Sequence, residues 1–422
     1  MKAHPLLAWL CAVMLALPAA AAPTATDDAT DPEPDGEAPR YSASLETWFY
    51  GTRTRLNGDS LLNPGNRMAR MPGQQVLLDA RLNLRAESGP LDMLLTPRLL
   101  SETRWPGGQG DASVQEALSG HTSTVQATLA FARLKLGQDT LLAGRELLTW
   151  GPATFRSPSN PFYFDSGKTN PLAATPGIDL VRYTHATGSM RWTGAYVAST
   201  SALNALSSAQ PDMGRTAVLK VDQQGENYLL SLISAKRAGM PDFTGGFAQV
   251  TPGDAWLVYG EFGSSSRTVP SARTVLGGAS YTLEGGQVFT AEWLHNSAGL
   301  SPDAQNLYFQ QATFANSLLP VNPAAAYGLL GQTMAQTPRL FGRDYLWLGW
   351  QSNPQDNKLY WRAEAAHNLS DQSSQLTFYA EKNLVPQLSA FVVLSHMLGS
   401  ARTEFGEFIR TRLTVGLKWF AF

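Results

Sequence analysis

The stretch VLLDARLNLRAESGPLDMLLTPRLLS, residues 76–101, decides the fold class. From residue 78 onward, apolar side chains alternate with four polar ones, Asp79, Arg81, Asn83 and Arg85. Because successive side chains of a strand point to opposite faces, this alternation predicts a strand with one apolar face and one polar face. Glu87–Pro90 predicts a tight turn, and the alternation resumes after it. The stretch therefore predicts an antiparallel hairpin.

The same alternation recurs in segments of about ten residues, the length that a tilted strand needs to cross a bilayer. The sequence predicts eighteen such segments between Tyr41 and Phe422. Because Phe243–Val250 is the weakest of them, sixteen is the alternative count. Short turns follow the even-numbered segments, as expected for periplasmic turns, and both termini then lie on the periplasmic side. The predicted fold is an all-β transmembrane antiparallel β-barrel with short periplasmic turns and long extracellular loops.

The composition agrees with a barrel. Charged residues make up 16% of the chain, against roughly 25% in ordinary soluble proteins. No run of 18 apolar residues follows the N-terminal region, so the sequence predicts no transmembrane helix. The formal net charge of −2 gives no support for nucleic-acid binding.

The N-terminal region predicts export. Residues 1–21 combine the basic Lys2, an apolar run and an A-x-A site at Ala19-Ala20-Ala21, as in a secretory signal peptide cleaved near Ala21. The single cysteine, Cys11, lies inside this signal, so we expect no disulfide or thiolate chemistry in the mature chain. Residues 22–40 are acidic and proline-rich, which predicts a disordered periplasmic segment before the barrel at 41–422.

The end of the chain carries a second export signal. Outer-membrane barrels typically end in a strand closed by phenylalanine, so we expect the barrel-assembly machinery to bind the strand that ends at Phe422. Leu417 and Trp419 share one face, whereas Phe420 and Phe422 share the other. The sequence therefore predicts a β-bulge near Trp419. The predicted location is the cell outer membrane, with outer-membrane lipid and lipopolysaccharide as further partners.

Two loops are long enough to act on the pore. The predicted strand Thr140–Trp150 runs into the proline-rich loop 151–177, which cannot be a central strand. We expect this loop to fold inward and narrow the lumen. Its candidate constriction residues are Arg156, Phe162, Tyr163, Asp165 and Lys168. Loop 297–342 is the longest and could contain a short helix or a plug.

If the apolar faces contact lipid, the opposite faces line the pore. The candidate pore-lining residues are Arg81, Arg85, Arg98, Arg145, Arg182 and Arg191 in the first half, and Glu261, Glu292, Arg362, Glu364 and Glu381 in the second. An arginine-rich wall opposite an acidic wall would select solutes by charge. The alternative is that these charges pair with one another and only rigidify the barrel.

Three short runs resemble known barrels: Gly144-Arg145-Glu146, Trp150-Gly151-Pro152 and Ser157 to Phe162. Together with the strand layout, they resemble porin-like outer-membrane families, among them the Wzi-type capsule-assembly barrels and the 18-stranded alginate-export-type barrels. The resemblance implies a channel or a polysaccharide-associated barrel and does not choose between them.

The leading functional hypothesis is a channel for passive or selective diffusion of small polar or anionic solutes or oligosaccharides. The alternative is a barrel that exports or anchors a polysaccharide. A barrel enzyme would need histidine beside a nucleophile or carboxylate, and none of the five mature histidines lies in such a motif, so we predict no enzyme. They are His121, His185, His295, His367 and His396. The spacing of His, Asp and Glu predicts no metal site, and we expect no cofactor and no nucleic-acid partner.

Overall fold

Eighteen strands form one closed antiparallel sheet in the computed structural model, which describes residues 39–106, 117–199, 214–265, 272–355 and 358–421. Each strand pairs with its neighbours in sequence, and β1 closes the barrel by pairing with β18. The predicted fold class and strand number are confirmed. The predicted signal, nearly all of the acidic segment and Phe422 lie outside the described residues. The strands are β1 Arg40–Leu56, β2 Gln74–Ser88, β3 Leu91–Trp105, β4 Gly120–Leu136, β5 Asp139–Glu146, β6 Ile178–Thr187, β7 Met190–Ser199, β8 Thr216–Gln224, β9 Tyr228–Arg237, β10 Phe243–Gly253, β11 Trp256–Ser265, β12 Ala272–Thr282, β13 Val288–Asn296, β14 Asp344–Gln351, β15 Leu359–Asn368, β16 Ser373–Val385, β17 Leu388–Leu398 and β18 Ile409–Ala421.

The two faces of the wall differ as the alternation predicts. On β9, Leu232 is 65% exposed, whereas its neighbours Ser231 and Ile233 are 2% and 1% exposed. Exposed leucine, valine and aromatic side chains recur on the outward face of most strands. Such an apolar outer surface is stable only against lipid, which identifies a transmembrane barrel. Among the described residues, no helix has the length and hydropathy needed to cross a bilayer.

The final strand corrects one prediction. β18 pairs with β1 without interruption from Ala421 to Thr411, and the register shifts only between Arg55 and Leu56. The bulge predicted near Trp419 is therefore absent. Phe420 instead remains on the inward face and packs against the Lys418 ammonium group, 4.7 Å from its ring centroid.

The strand before the proline-rich loop is shorter than predicted. β5 ends at Glu146, not at Trp150. Gly144 has φ +129°, and a Cβ on it would lie 2.2 Å from the Ala130 carbonyl oxygen. Only glycine permits this close approach. After Glu146 the chain leaves the wall and enters the lumen.

The longest extracellular loop folds as a helical hairpin. Helix α1 (Pro302–Ser317) is capped by Ser301, whose side chain accepts from the Ala304 N–H, and α2 (Pro323–Ala335) is capped likewise by Asn322. Proline at the first helical position suits both helices because its missing N–H has no helical partner there. The hairpin packs on loop 57–73 through Leu62 and is joined to it where the Asn316 amide donates to the Leu61 carbonyl at 2.6 Å.

Candidate functional site

Loop 147–177 crosses the lumen and is held by two buried carboxylates on the opposite wall. Glu261 on β11 accepts hydrogen bonds from Ala153 N (2.8 Å), Ser157 Oγ (2.7 Å), Ser159 N (3.2 Å) and Ser159 Oγ (2.7 Å). Glu292 on β13 accepts from Thr154 N at 2.6 Å and Phe155 N at 2.8 Å. Because backbone donors have fixed geometry, these bonds fix the position of the loop.

These contacts correct the prediction that Glu261 and Glu292 line the pore. Glu261 is only 2% exposed, and Glu292 is only 1% exposed. Their oxygen atoms are occupied by the loop, and Glu292 also accepts from the Tyr259 hydroxyl at 2.5 Å. The loop therefore covers these two carboxylates of the predicted acidic wall.

The first half of the loop fills one side of the lumen with apolar side chains. Phe162 and Tyr163 are 1% and 0% exposed and pack with Leu148, Ile178 and residues of β4–β10. The Tyr163 hydroxyl donates to the Pro176 carbonyl at 2.8 Å, and burial raises the pKa of this phenol. Both aromatic rings were predicted to face the solute. They form a hydrophobic core with the inner wall instead, because burying these large rings removes apolar surface from water.

The charged residues of the loop also bind to its own backbone. The Lys168 ammonium donates to the Ala153 carbonyl at 2.8 Å, and burial lowers its pKa although Glu261 and Glu292 oppose this shift. Arg156 donates to the Phe155 carbonyl at 2.6 Å and lies 3.4 Å from Asp165. Arg362 on β15 donates to the Lys168 carbonyl at 2.8 Å, which ties the second half of the loop to the wall.

An open cavity of about 630 Å³ remains between the loop and the opposite arc of the wall. The arc consists of β1–β3 and β16–β18, and the loop contributes residues 165 to 175. Four arginines line it, namely Arg98, Arg104, Arg156 and Arg412. We call this space the arginine cavity.

The four arginines differ in their pairing. Arg98 is bound by Asp79 through two hydrogen bonds of 2.6 and 2.8 Å, and Arg81 shares the same carboxylate. Arg104 pairs with Glu102 at 2.5 Å. Arg412 on β18 is exposed in the lumen and has no ion pair or hydrogen bond within the described ranges. Arg412 is therefore the free cation of this wall.

An apolar surface lies beside these cations. Trp48, Tyr50 and Phe391 form edge-to-face contacts, with ring centroids 5.1 Å apart for Trp48–Phe391. Leu100 and the loop residue Leu172 pack against this cluster. Tyr50 and Leu100 reach the arginine cavity directly. The cavity can thus offer a ring-sized apolar surface and a guanidinium group to the same small molecule.

Most other predicted pore-lining residues lie on the inward face in ion pairs. Arg85 contacts Glu87 at 2.7 Å and Asp92 at 3.0 Å, and Arg182 contacts Glu146 at 2.8 Å. The remaining pairs are Arg362–Glu364 at 2.7 Å and Lys418–Glu381 at 3.7 Å. Arg191 is exposed and lines a second cavity of about 540 Å³ beneath the loop, together with Trp150 and Lys220.

Arg145 is buried in the wall. It pairs across strands with Asp179, and its guanidinium binds that carboxylate at 2.9 Å and the Ala127 carbonyl at 2.8 Å. The neighbouring residue Glu146 points inward to Arg182. Asp179 and the Ala127 carbonyl enclose the guanidinium, so Arg145 is not exposed to the pore, contrary to the prediction. The ion pair instead fills the wall where β5 leaves it, and Arg145 is only 6% exposed.

Sequence reasoning missed Arg412, Lys220 and Lys418. Arg412 and Lys418 lie on the same face of the last strand as Thr414, and Leu413 lies on the opposite face. The alternation of this strand therefore predicts that both cations point inward. The Lys220 ammonium contacts the rings of Trp150 and Phe247, a pairing that depends on the position of the loop and has no sequence signal.

Comparisons with known proteins identify the fold. No family model and no curated protein matches the chain. Solved structures do: Pseudomonas aeruginosa OpdK with vanillate has a TM-score of 0.56 at 9% identity, covering 90% of this chain and 98% of that one. Acinetobacter baumannii OccAB3 has a TM-score of 0.52 at 10% identity, covering 90% and 99%. Pseudomonas aeruginosa OccK2 (OpdF) in complex with glucuronate has a TM-score of 0.51 at 11% identity, covering 90% and 98%. The chain shares their barrel fold, and the resemblance to Wzi-type and alginate-export-type barrels stays a prediction.

Proposed function

We propose that this protein is an outer-membrane channel for the selective diffusion of small organic anions, narrowed by loop 151–177. The observation that carries the proposal is Arg412, an unpaired arginine exposed in the arginine cavity beside three paired ones. A free guanidinium inside a low-dielectric wall attracts anions more strongly than one neutralised by a carboxylate. Inward charges of this kind set solute preference in barrel channels.

The apolar surface beside the arginines narrows the solute class. Tyr50 and Leu100 lie on the same cavity as Arg412. A solute with a carboxylate and a ring can bind both surfaces at once, whereas a neutral sugar or an inorganic ion can bind only one. The glucuronate and vanillate of the neighbouring structures are carboxylates on a ring, which supports this class for the present chain.

The export alternative lacks a comparable observation. A polysaccharide needs a wide and continuous passage, and the loop that crosses this lumen is fixed by Glu261 and Glu292. For the rest of the chain, we propose that a signal peptide cleaved near Ala21 directs export. Residues 22–40 would then form a periplasmic segment, and the strand ending at Phe422 would bind the barrel-assembly machinery.

The test is reversal potential across a planar bilayer that contains the purified protein in a KCl gradient. We expect a preference for chloride over potassium, and we expect Arg412→Gln to reduce the permeability ratio several-fold because it removes the free cation. Lys236→Gln is the matched control, because it removes an exposed cation from the outward face of β9. Cation preference in the wild type, or equal effects of the two variants, would contradict the proposal.

The solute class is tested separately by block of the chloride current. We expect benzoate to reduce the current at lower concentration than acetate, because only benzoate can also contact the apolar surface. Tyr50→Ala and Leu100→Ala should each raise the benzoate concentration needed to reduce the current, toward the concentration needed for acetate. If benzoate and acetate act alike in the wild type, the apolar surface has no role in binding.

A further inference from the structure

Two arginines at the extracellular end of β1 face away from the lumen. Thr52 and Thr54 on this strand are 5% exposed and point inward, so Arg53 and Arg55 between and beyond them point outward. Both arginines are exposed. Within the ranges that the structure describes, neither makes a hydrogen bond or an ion pair. They are cations on the outer wall with no protein partner there.

The surroundings of this pair are polar above and apolar below. Arg55 lies opposite Thr411 of β18, and the Thr411 hydroxyl lies 3.1 Å from His396 Nδ1 on β17. Arg53 lies opposite Leu413. Going down the same outward face, the side chains become apolar and exposed, with Phe49 at 54% and Val415 at 55%. The arginines therefore mark the upper edge of the lipid-facing band.

At this edge of the lipid band the two arginines can bind anionic lipid headgroups. A lipid-facing arginine is strongly unfavourable at mid-bilayer and nearly neutral near the interface. Residues i and i+2 on one face of a strand are about 7 Å apart, so two guanidinium groups can reach one headgroup. Guanidinium forks bind phosphate through paired N–H donors and are well suited to such a group.

We propose that Arg53 and Arg55, with His396 beside them, form a binding site for the phosphate groups of an outer-leaflet lipid. The acyl chains of that lipid lie on the apolar face below, which includes Phe49 and Val415. The site is on the outside of the barrel, so it is independent of the pore and of the solute that the pore admits. Lipopolysaccharide has the required chemistry, namely phosphates on a headgroup above several acyl chains.

The experiment measures binding of purified lipopolysaccharide to the detergent-solubilised full-length barrel, immobilised on a surface. The test variant is Arg53→Gln/Arg55→Gln. The matched control is Lys236→Gln/Arg273→Gln, which removes two outward cations at the same end of the barrel, from the separate strands β9 and β12. We expect at least tenfold weaker binding for the test variant and less than twofold for the control. Circular dichroism verifies that both variants retain the β-sheet content of the wild type.

Two further probes identify the ligand group. Lipopolysaccharide stripped of its phosphates should bind the wild type as weakly as intact lipopolysaccharide binds the test variant. Inorganic phosphate at the concentration of the lipid should not displace it, because it lacks the acyl chains. Equal losses in the two double variants, no loss in the test variant, or full displacement by inorganic phosphate would each overturn the proposed lipid site.

Discussion

Single carboxylates decide the shape of the pore. The carboxylate of Glu261 alone binds Ala153, Ser157 and Ser159 of the loop, which are more than a hundred residues away in sequence. Every one of these partners is a donor, so only a group that accepts at both oxygens suits the position. The ionised carboxylate is such a group, and an amide is not.

Glu261→Gln should therefore release the loop. The amide NH₂ would face the donors that Oε2 now accepts from, and losing hydrogen bonds to a charged group costs about 2 kcal/mol. We expect larger and noisier single-channel currents and a lower urea midpoint of unfolding. Glu284→Gln, in an exposed turn, is the control. Wild-type noise and an unchanged midpoint would show that Glu261 does not hold the loop.

A second prediction for single residues concerns the Arg145–Asp179 ion pair. Arg145→Met leaves the Asp179 carboxylate and the Ala127 carbonyl without their donor, and breaking a buried ion pair in this way costs about 3–5 kcal/mol. We expect a clear fall in the free energy of unfolding, measured by urea titration in lipid vesicles. Arg145→Met/Asp179→Leu should recover part of it, since no charge is then left unpaired. Arg191→Met, at an exposed inward arginine, should change the free energy little.

Among the elements, the extracellular loops are joined through buried carboxylates. Glu404 in loop 399–408 accepts from the Tyr345 hydroxyl of β14 at 2.7 Å and from the Asn368 amide of β15 at 2.8 Å. Its own N–H donates to Asp371 in the 369–372 turn at 2.7 Å. Burial, and secondarily the nearby Asp371, raises the pKa of Glu404 to about 7. The loop is thus attached to two strands through a group that titrates near neutral pH.

This attachment should weaken as the pH rises. A carboxyl whose pKa is higher in the folded state stabilises that state fully below its ordinary pKa, and the contribution is lost as the pH rises through about 7. We expect loop 399–408 to be better protected from hydrogen exchange at pH 5.5 than at pH 8, after correction for intrinsic rates. Glu404→Gln should flatten this difference, whereas Glu284→Gln should not. Greater protection at pH 8 would reverse the sign and refute the assignment.

At the scale of the whole molecule, the proposed charge selectivity belongs to a protein that is nearly neutral. The chain has a formal net charge of −2, and most inward charges are paired. The proposed selectivity therefore rests on the cation left unpaired in the arginine cavity, Arg412. A local field of this kind is screened by salt, because the Debye length is about 10 Å at 0.1 M and about 3 Å at 1 M.

The anion preference should accordingly fall as salt is raised. We expect the ratio of chloride to potassium permeability to decrease between 0.1 M and 1 M KCl, approaching the ratio of Arg412→Gln at the higher concentration. Reversal potentials measured at a constant gradient in both ranges test this. A ratio that does not depend on salt would mean that pore width, and not charge, selects the ion.

The sequence alone determined the number of strands and, for most of them, the side that faces lipid. These properties follow from a period-2 pattern that is local, since each residue's face is set by its neighbours along the strand. Leu78 and Asp79, on adjacent positions of β2, illustrate this: they are 36% and 0% exposed. The alternation also contained the inward position of Arg412.

Only the tertiary structure decided which charges a solute can meet. Arg145 and Glu146 are adjacent, yet Glu146 binds Arg182 of β6, whereas Arg145 is enclosed by Asp179 and the Ala127 carbonyl. Glu261 and Glu292 point inward as predicted, but the loop that crosses the lumen covers them. Ion pairs and loop anchors join residues that are distant in sequence and meet only when the barrel closes. Local alternation carries no information about such partners, so the accessible surface of the pore could not be derived from the sequence.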